Sequence, residues 1–331
     1  MNSQATLVSI CVPIYGVEKY IGRCATSLFE QTYENIEYIF INDCTPDKSI
    51  EVLKQIISKY PSKKDTVRII NHERNRGLAA ARNTAIDNCK GEFLLHVDSD
   101  DYIEFDAVEK LIAKQQENDA DIVSGSYITH HTKKDVITKY DNHFSPKEMC
   151  LLMLSQKINY NIWGRLIRVA LYKENNVRTK EGCNMSEDYS VTPILAYYAR
   201  RINVIDDIIY HYDFTNPGSY VKSFSAVKSK QTWTVFNLLQ AFFVNKGDEY
   251  KHALELAKIR ILSRHLFSCC SDGKDKEYYR FLREEQKKTK KEDYKIIERR
   301  KRVLLIVKNW TLAKLLVRLM WIAKKVVDIF H

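Results

Sequence analysis

Short apolar runs alternate with amphipathic segments along the first third of the chain. Runs rich in β-branched and aromatic residues predict strands at 7–15, 36–42, 67–71 and 92–97. The segments between them carry apolar residues at helical spacing and predict helices at 18–30, 47–60 and 78–88. Because strand and helix alternate with short connections, we expect an α/β fold with a mixed, mostly parallel sheet flanked by helices.

The pattern becomes less regular after residue 120 and then turns helical. It predicts a strand at 121–128, a helix at 146–155, a turn leading into a helix at 161–175, and one or two strands at 202–214. From residue 226 onward the periodicity is almost entirely helical. We therefore predict an α/β domain at 1–225 and a helical C-terminal region at 226–331.

Positive charge is concentrated at the C-terminal end of the chain. The net charge is +10, and residues 281–331 hold fifteen Lys and Arg against six Asp and Glu, which accounts for +9 of it. The remainder is nearly neutral, so we expect no nucleic-acid partner and instead a contact with a membrane surface or a protein.

The eight cysteines show no C-x-x-C pair and no zinc-ligand spacing. Several lie in apolar runs, where a thiol packs as a small hydrophobic group. The N-terminal stretch MNSQATLVSICVPIY lacks the pattern of a signal peptide. These features predict reduced core cysteines and a cytoplasmic protein.

Three carboxylates, Asp98, Asp100 and Asp101, follow the strand at 92–97 in the stretch LLHVDSDDY. In parallel sheets ligands bind beyond the carboxyl ends of the strands, so this acidic stretch should share an edge with Pro13–Gly16 and Asp43–Thr45. Crowded carboxylates need a cation, and oxygen ligands suit Mg²⁺ or Mn²⁺ bound together with a diphosphate. Taken alone, the acidic run could instead begin a helix.

Several motifs in order resemble the family-two inverting glycosyltransferases with a GT-A fold. They are VSICVPIYGVEKYIGRCATSLFEQTYENIEYIFINDCTPDKS, NRGLAAARNTAI, GEFLLHVDSDDY, and SEDY at 186–189. The likeness covers about the first two thirds of the chain. It implies a nucleotide-sugar donor, a divalent metal cofactor (Mn²⁺ or Mg²⁺), and transfer of one sugar with inversion.

The resemblance also implies roles for residues near the nucleotide. Pro13 and Tyr15 would border the base, Asp43 would accept a hydrogen bond from it, and Arg82 would lie near the nucleotide. Asp43 could instead be a turn residue in NDCTPD, and Arg82 a surface arginine of its helix.

The acidic stretch and a later histidine receive roles from the same resemblance. Asp98 would hold the ribose and contribute to the metal site, Asp100 would be the main metal ligand, and Asp101 would steady the sugar or its loop. His211 could approach the diphosphate or the metal, although a strand histidine is more often structural.

In the SEDY segment, Asp188 would be the general base toward the acceptor, with Glu187 beside it. Ser186 would cap a helix that starts there. Trp163 in NIWGRL could stack on a sugar or be a buried aromatic. Gly16, Cys44 and Asp213 depart from the residues usual in the family, which leaves the donor base, the sugar and the exact diphosphate contacts open.

The segment 303–330 is apolar but interrupted by cations. Lys314, Arg318, Lys324 and Lys325 fall within one helical arc, and the segment is unlike a membrane-spanning helix. It predicts an interfacial helix on anionic lipid, which would hold the enzyme on the inner face of the cell membrane. Packing on the enzyme's own body or on a second subunit is the alternative.

We expect a glycosyltransferase that uses a UDP-sugar and extends a glycan or lipid-linked glycan of the bacterial surface. A nucleotidyltransferase would need a Gly-rich basic loop after the first strand, which PIYGVEKY does not supply. A non-catalytic membrane scaffold with the same fold is a further alternative, although the presence of both Asp100 and Asp188 argues against it.

Overall fold

The computed structural model describes residues 5–140, 144–218, 220 and 225–330, apart from the side chains of residues 300 and 324–330. The strands are β1 (Val8–Ile14), β2 (Ile36–Asn42), β3 (Val67–Asn71), β4 (Phe93–His96), β5 (Tyr102–Ile103), β6 (Ile122–His130), β7 (Val136–Thr138), β8 (Arg165–Arg168) and β9 (Ile202–Asp213). The helices of the sheet region are α1 (Ile21–Phe29), α2 (Ser49–Lys59), α3 (Leu78–Asn88), α4 (Ala107–Gln116), α5 (Pro146–Leu154), α6 (Val169–Glu174) and α7 (Thr192–Tyr198). The later helices are α8 (Ala226–Phe243), α9 (Asp248–Asp272), α10 (Lys276–Lys287), α11 (Arg299–Ile306) and α12 (Trp310–Phe330).

The strands form one mixed sheet in the order β3-β2-β1-β4-β8-β6-β9-β5, with β7 paired to β6. Strands β1 to β4 are parallel to one another, and β6 is parallel to β9. Strand β8 runs antiparallel between β4 and β6. Most residues of β1 and β2 are buried, as expected for strands with helices on both faces. The predicted α/β fold class is confirmed.

Strand β8 was predicted as part of a turn leading into a helix. It has only four residues, and two of them are arginines, so it carries no apolar run that periodicity could detect. Ion pairing stabilises it instead, because Arg168 Nε donates to Asp121 Oδ1 at 2.9 Å. The short strands β5 and β7 also lie below the length at which an alternating pattern becomes visible.

The chain divides into two compact units. One contains residues 1–150 and 160–222, and the other contains residues 151–159 and 223–331. This division describes packing, whereas the functional boundary at residue 225 stays a prediction.

Helices α8 to α12 belong to the second unit, where α8, α10, α11 and α12 each pack against α9. Helix α12 contacts this unit through the buried residues Ala313 and Val317. Its larger apolar side chains are about half exposed, at Leu312 (46%), Leu315 (51%), Leu319 (52%), Trp321 (50%) and Ile322 (59%). Helix α12 therefore packs on its own unit and still presents an apolar face. Within the described residues, no helix is both long enough and apolar enough to cross a bilayer.

Candidate active site

The carboxyl ends of β1, β2 and β4 meet at one edge of the sheet, as predicted. The Asp43 amide donates to Ile14 O at 3.1 Å, and the Gly16 amide donates to Thr45 Oγ1 at 2.9 Å. On the other side of β1, the Val97 amide donates to Cys11 O at 3.0 Å. Tyr15 is 51% exposed at this edge, so its ring is available to a ligand.

Asp43 organises the loop that leads into α3. Its carboxylate accepts hydrogen bonds from the amides of Arg76 (2.8 Å) and Gly77 (2.7 Å), and it lies 2.7 Å from His72 Nδ1. The side chain is almost fully buried. Gly77 has a φ of +87°, a conformation that residues with a side chain rarely adopt. Asp43 thus fixes residues 72–77, and its contact with a base stays a prediction.

Asp101 anchors the acid loop, residues 98–101, to the end of β9. Its carboxylate is fully buried and accepts hydrogen bonds from Tyr210 Oη at 2.7 Å and the Asp213 amide at 2.8 Å. Burial, together with the charges of Asp100 and Asp98, raises the pKa of Asp101 well above its ordinary value. Asp101 was expected to steady either the sugar or its own loop, and these contacts fit the second role.

Asp100 is partly exposed and crowded by other carboxylates. Burial and the charges of Asp98 and Asp213 raise the pKa of Asp100, even though Asn216 Nδ2 donates to its Oδ2 at 2.9 Å. Arg23 Nη2 donates to the Asp100 carbonyl at 2.8 Å and to Asp213 Oδ2 at 2.7 Å. Sequence spacing could not identify Arg23, because this residue belongs to α1, far from the acid loop in the chain.

Arg82 joins the acid loop to the SEDY segment. Its Nη2 donates to Asp98 Oδ1 at 2.9 Å and to Glu187 Oε1 at 3.3 Å. The side chain is only 2% exposed, so Arg82 is a buried residue of α3 and not a surface arginine. Burial acts to lower the pKa of Arg82, but the neighbouring carboxylates Asp98 and Glu187 raise it above its ordinary value.

Asp188 follows Glu187 directly in the chain. It therefore belongs to the same cluster of charged side chains as Arg82 and Asp98, whose charges act on it. Loss of hydration and the charge of Glu187 raise the pKa of Asp188 well above its ordinary value, while Arg82 opposes this effect. The pKa of Glu187 is raised by burial, against the influence of Arg82. Asp188 keeps partial exposure to solvent, whereas Glu187 is buried. A carboxylate with a raised pKa that remains accessible can accept a proton from a bound molecule.

The segment before Asp188 docks onto the start of α3. Asn184 Oδ1 accepts a hydrogen bond from the Ala79 amide at 3.2 Å, and a Cβ placed on Gly77 would lie 2.3 Å from Asn184 Nδ2. The predicted capping role of Ser186 is wrong. Helix α7 begins at Thr192, and Ser186 has a φ of +65° within the preceding turns.

His211 lies on β9 with both ring nitrogens engaged. Its Nε2 is 2.7 Å from Glu104 Oε1, and its Nδ1 is 3.0 Å from His130 Nε2. Its ring also stacks on Tyr102, with centroids 4.3 Å apart. Metal binding by His211 would require one of these hydrogen bonds to break.

The donor chemistry of the acid loop fits a hard divalent cation. Asp98 and Asp100 are partly exposed carboxylates whose mutual repulsion a cation would relieve. Among the described residues, no three or more His, Cys, Asp or Glu side chains are placed so that they could hold a metal ion by themselves. Mg²⁺ commonly takes only one or two protein carboxylates and completes its shell with substrate phosphates and water. The predicted ligands Asp98 and Asp100 suit that mode.

Trp163 is a buried aromatic residue. It is only 9% exposed, and its ring stacks on Tyr210 with centroids 4.4 Å apart and packs edge-on against Tyr127 at 4.9 Å. Tyr210 in turn donates to Asp101, so this aromatic layer supports the acid loop. Between stacking on a sugar and burial in the core, the structure supports burial of Trp163.

Known proteins with related sequences are glycosyltransferases. The chain is 32% identical over 184 residues to the glycosyltransferase GlyA of Streptococcus pneumoniae, which covers 50% of this chain and 25% of GlyA. It is 27% identical over 276 residues to the poly(ribitol-phosphate) beta-N-acetylglucosaminyltransferase TarS of Staphylococcus aureus, which covers 80% of this chain and 45% of TarS. The chain thus spans less than half the length of either relative.

Solved structures with the same fold include TarS and a mannosyltransferase. Residues 1–349 of S. aureus TarS in complex with UDP-GlcNAc superpose with a TM-score of 0.72 at 19% identity, covering 94% of this chain and 90% of that one. A mannosyltransferase of Pyrobaculum calidifontis in complex with GDP-Man and Mn²⁺ gives a TM-score of 0.56 at 15% identity, covering 96% of this chain and 88% of that one. At these identities the likeness establishes the fold.

The family model described as Glycosyl transferase family 2 matches residues 9–179, slightly more than half of the chain. That range includes the edge formed by β1, β2 and β4, the Arg82 helix and the acid loop. The protein belongs to glycosyl transferase family 2.

Proposed function

We propose that this glycosyltransferase moves a sugar from a nucleoside diphosphate donor, a UDP-sugar, to an acceptor hydroxyl with inversion of configuration. The observation that carries the proposal is the Arg82 bridge, because one guanidinium holds Asp98 of the acid loop and Glu187 beside Asp188. Donor-side and acceptor-side carboxylates are thereby brought into one cluster.

The donor would bind across the edge formed by β1, β2 and β4. Tyr15 and Pro13 would border the base, and the loop fixed by Asp43 would form a neighbouring wall. A UDP-sugar is favoured because TarS, which has the same fold, has been solved with UDP-GlcNAc and with UDP. Asp98 would contact the ribose while remaining paired with Arg82.

Asp188 would act as the general base. The acceptor hydroxyl gives its proton to a carboxylate oxygen of Asp188 while the acceptor oxygen bonds to the anomeric carbon. The bond from that carbon to the diphosphate breaks, and its electron pair leaves on the phosphate oxygen. A single displacement of this type inverts the anomeric carbon and needs no covalent sugar–enzyme intermediate. The raised pKa of Asp188 makes it a stronger base than an ordinary aspartate.

Asp100 and Asp98 would hold Mn²⁺ or Mg²⁺ together with the donor diphosphate. When bound, the ion would neutralise the charge that collects on the departing diphosphate. Binding of Mn²⁺ is favoured by the complex of the Pyrobaculum mannosyltransferase, which contains that ion. We omit His211 from this set, because Glu104 and His130 already occupy its two nitrogens.

The acceptor would be a glycan, or a lipid-linked glycan, of bacterial surface polysaccharide biosynthesis. Several related proteins are named for transfer to poly(ribitol phosphate). Residues 1–225 would carry catalysis. The exposed apolar face of α12, with Lys308 and Arg318 nearby, would rest on the anionic inner surface of the cell membrane.

Thermal unfolding in the presence of UDP, GDP, CDP and dTDP, each with and without Mn²⁺, tests the donor assignment. A ligand at one hundred times its dissociation constant stabilises the folded state by about 2.7 kcal/mol. We expect UDP with Mn²⁺ to give the largest increase in the unfolding temperature. A preference for another nucleotide would overturn the UDP assignment, and no response to any nucleotide would contradict the glycosyltransferase site itself.

A further inference from the structure

A basic pocket lies in the helical unit, between the end of α10, the turn at Lys291–Ile296 and α11. Its volume is about 430 Å³. Four cationic side chains line it, from Lys291, Lys295, Arg302 and Lys308, against one carboxylate, from Glu292. A pocket of this size and charge accommodates a small anionic group.

The lysines of the basic pocket have no ion-pair partners within the described part of the chain. Other lysines of the same region do have them: Lys287 with Glu284 at 2.7 Å, Lys288 with Glu285 at 2.5 Å, and Lys301 with Glu298 at 3.5 Å. Unneutralised cations placed around one cavity repel each other, and an anion in the cavity would offset that repulsion. The pocket therefore presents positive charge that no carboxylate of the described residues neutralises.

Arg302 is held in the wall of the basic pocket. Its Nη2 donates to the carbonyl oxygens of Lys295 at 2.7 Å and Ile297 at 3.0 Å. Its Nε is buried and has no acceptor within the described residues. The side chain as a whole lines the pocket and keeps partial exposure, so its guanidinium can meet an anion there. Arginine together with lysine is the combination that binds phosphate oxygens.

Apolar surface adjoins the basic pocket. Ile306 lines the pocket and is 65% exposed, and the chain continues from Lys308 directly into α12. On that helix Leu312, Leu315 and Leu319 are also exposed. A soluble polyanion would use the cations but would gain nothing from this exposed apolar surface. An anionic lipid uses both, because its phosphate binds cations while its acyl region covers apolar side chains.

We propose that the basic pocket binds the phosphate headgroup of an anionic membrane lipid. The proposal rests on the membrane contact suggested above, which it makes specific by naming the headgroup chemistry and its ligands. It does not depend on the donor, the acceptor or the catalytic role of Asp188.

Flotation of the full chain with vesicles tests the proposal. The vesicles contain phosphatidylcholine alone, phosphatidylcholine with phosphatidylglycerol, or phosphatidylcholine with an equal fraction of cholesteryl hemisuccinate, whose charge is a carboxylate. The pocket variant is K295Q/K308Q, and K290Q/K301Q is the control that removes the same charge outside the pocket. Lys295 and Lys308 are both exposed, so the substitutions should leave folding intact, which circular dichroism verifies.

We expect the wild-type chain to prefer phosphatidylglycerol vesicles over both other kinds. K295Q/K308Q should lose about 30-fold in affinity, as removal of two surface-bound lysines implies, whereas K290Q/K301Q should lose no more than about threefold. Equal losses in the two variants would overturn the pocket while leaving a diffuse membrane contact. Equal binding to the hemisuccinate vesicles would overturn the phosphate assignment.

Two further measurements distinguish binding of a lipid from binding of a soluble polyanion. The double variant L315Q/L319Q removes apolar surface only, and we expect it to weaken vesicle binding as well. If soluble poly(glycerol phosphate) bound in a manner that depends on Lys295 and Lys308, while vesicle binding did not depend on them, the pocket would instead be assigned to a polyanion. Nucleotide-dependent stabilisation, measured on the same samples, reports on the proposed catalytic site independently.

Discussion

Asp98 and Glu187 accept hydrogen bonds from the same nitrogen, Nη2 of Arg82, at 2.9 and 3.3 Å. The three residues belong to the acid loop, the SEDY segment and α3, which are well separated along the chain. Because Arg82 and Glu187 are almost fully buried and Asp98 is only partly exposed, removal of the cation would leave two carboxylates without compensation. The bridge therefore stabilises the fold and also fixes the relative positions of the proposed donor and acceptor residues.

Replacing Arg82 with methionine should reduce the free energy of unfolding by about 3–5 kcal/mol, the usual cost of breaking a buried ion pair from one side. Urea unfolding measures this change. In the double variant R82M/E187L, one of the two orphaned carboxylates is also absent, so part of the loss should be recovered.

The ion pair between Arg178 and Asp87 provides the control, because Asp87 also lies on α3 but the pair is exposed. D87N removes only this pair, since Asp87 is its exposed partner, and should cost no more than about 1 kcal/mol. Equal effects of R82M and D87N would mean that the bridge has no special importance for stability.

Proton transfer to Asp188 predicts an acidic limb in the pH profile of kcat. A protonated Asp188 cannot accept a proton, so activity should fall as the pH falls through the pKa of this group. Burial and Glu187 raise that pKa above the ordinary value of 3.8, which places the limb at a higher pH than an ordinary aspartate would give.

The variant E187Q checks the origin of this limb. Removing the charge of Glu187 takes away one cause of the raised pKa of Asp188, so the limb should move to lower pH. Profiles measured from about pH 4.5 to 8 would resolve the change. A limb that stays in place in E187Q would mean that another group controls it.

Replacing Asp100 should have two opposite effects on stability, one in the free protein and one in the presence of a cation. Burial and its neighbours Asp98 and Asp213 raise the pKa of Asp100, so without a cation its contribution to stability falls as the pH rises from the unfolded-state pKa toward the higher folded-state pKa. D100N should therefore raise the unfolding temperature of the free protein at neutral pH. It should also abolish the additional stabilisation that Mn²⁺ gives in the presence of UDP.

Asp213 serves as a comparison, since its carboxylate is already paired with Arg23. D213N should retain the response to Mn²⁺ while losing the ion pair. If D100N responded to Mn²⁺ as the wild type does, Asp100 would not be a metal ligand.

Asp43 fixes the loop before α3 through the amides of Arg76 and Gly77. D43N should weaken these bonds by about 1–3 kcal/mol, so hydrogen exchange at the two amides should become roughly 10- to 100-fold faster. Mass spectrometry of the peptide containing residues 72–77 measures the rate. Unchanged exchange there would show that the loop is held by other contacts.

Apolar periodicity was sufficient to predict β1 to β4 and the helices between them, because these strands are buried and continuous in apolar residues. The same reasoning failed at β8, whose four residues include two arginines and are held by Asp121 through Arg168. The alternative that Arg82 is a surface arginine is also wrong. A buried arginine differs from an exposed one only by its partners, and those partners are distant in the chain.

Contacts of the acid loop were likewise only partly predictable. The sequence indicated that Asp98, Asp100 and Asp101 share an edge of the sheet, and the family resemblance implied a different role for each, but neither predicted their contacts. The structure separates them, since Asp101 is sequestered by Tyr210 and the Asp213 amide, whereas Asp98 and Asp100 retain exposure. That distinction depends on β5 and β9, and β5 is a strand of two residues with no sequence signature.

The central claim is that Asp188 takes the proton from the acceptor within the cluster organised by Arg82. Its most direct test is the rate of UDP release by D188N, measured with a UDP-sugar and an acceptor glycan that the wild type turns over, beside the affinity of the same variant for UDP. The account predicts a loss of about 10²–10⁴-fold in kcat with UDP affinity unchanged. Turnover close to that of the wild type in D188N would contradict it.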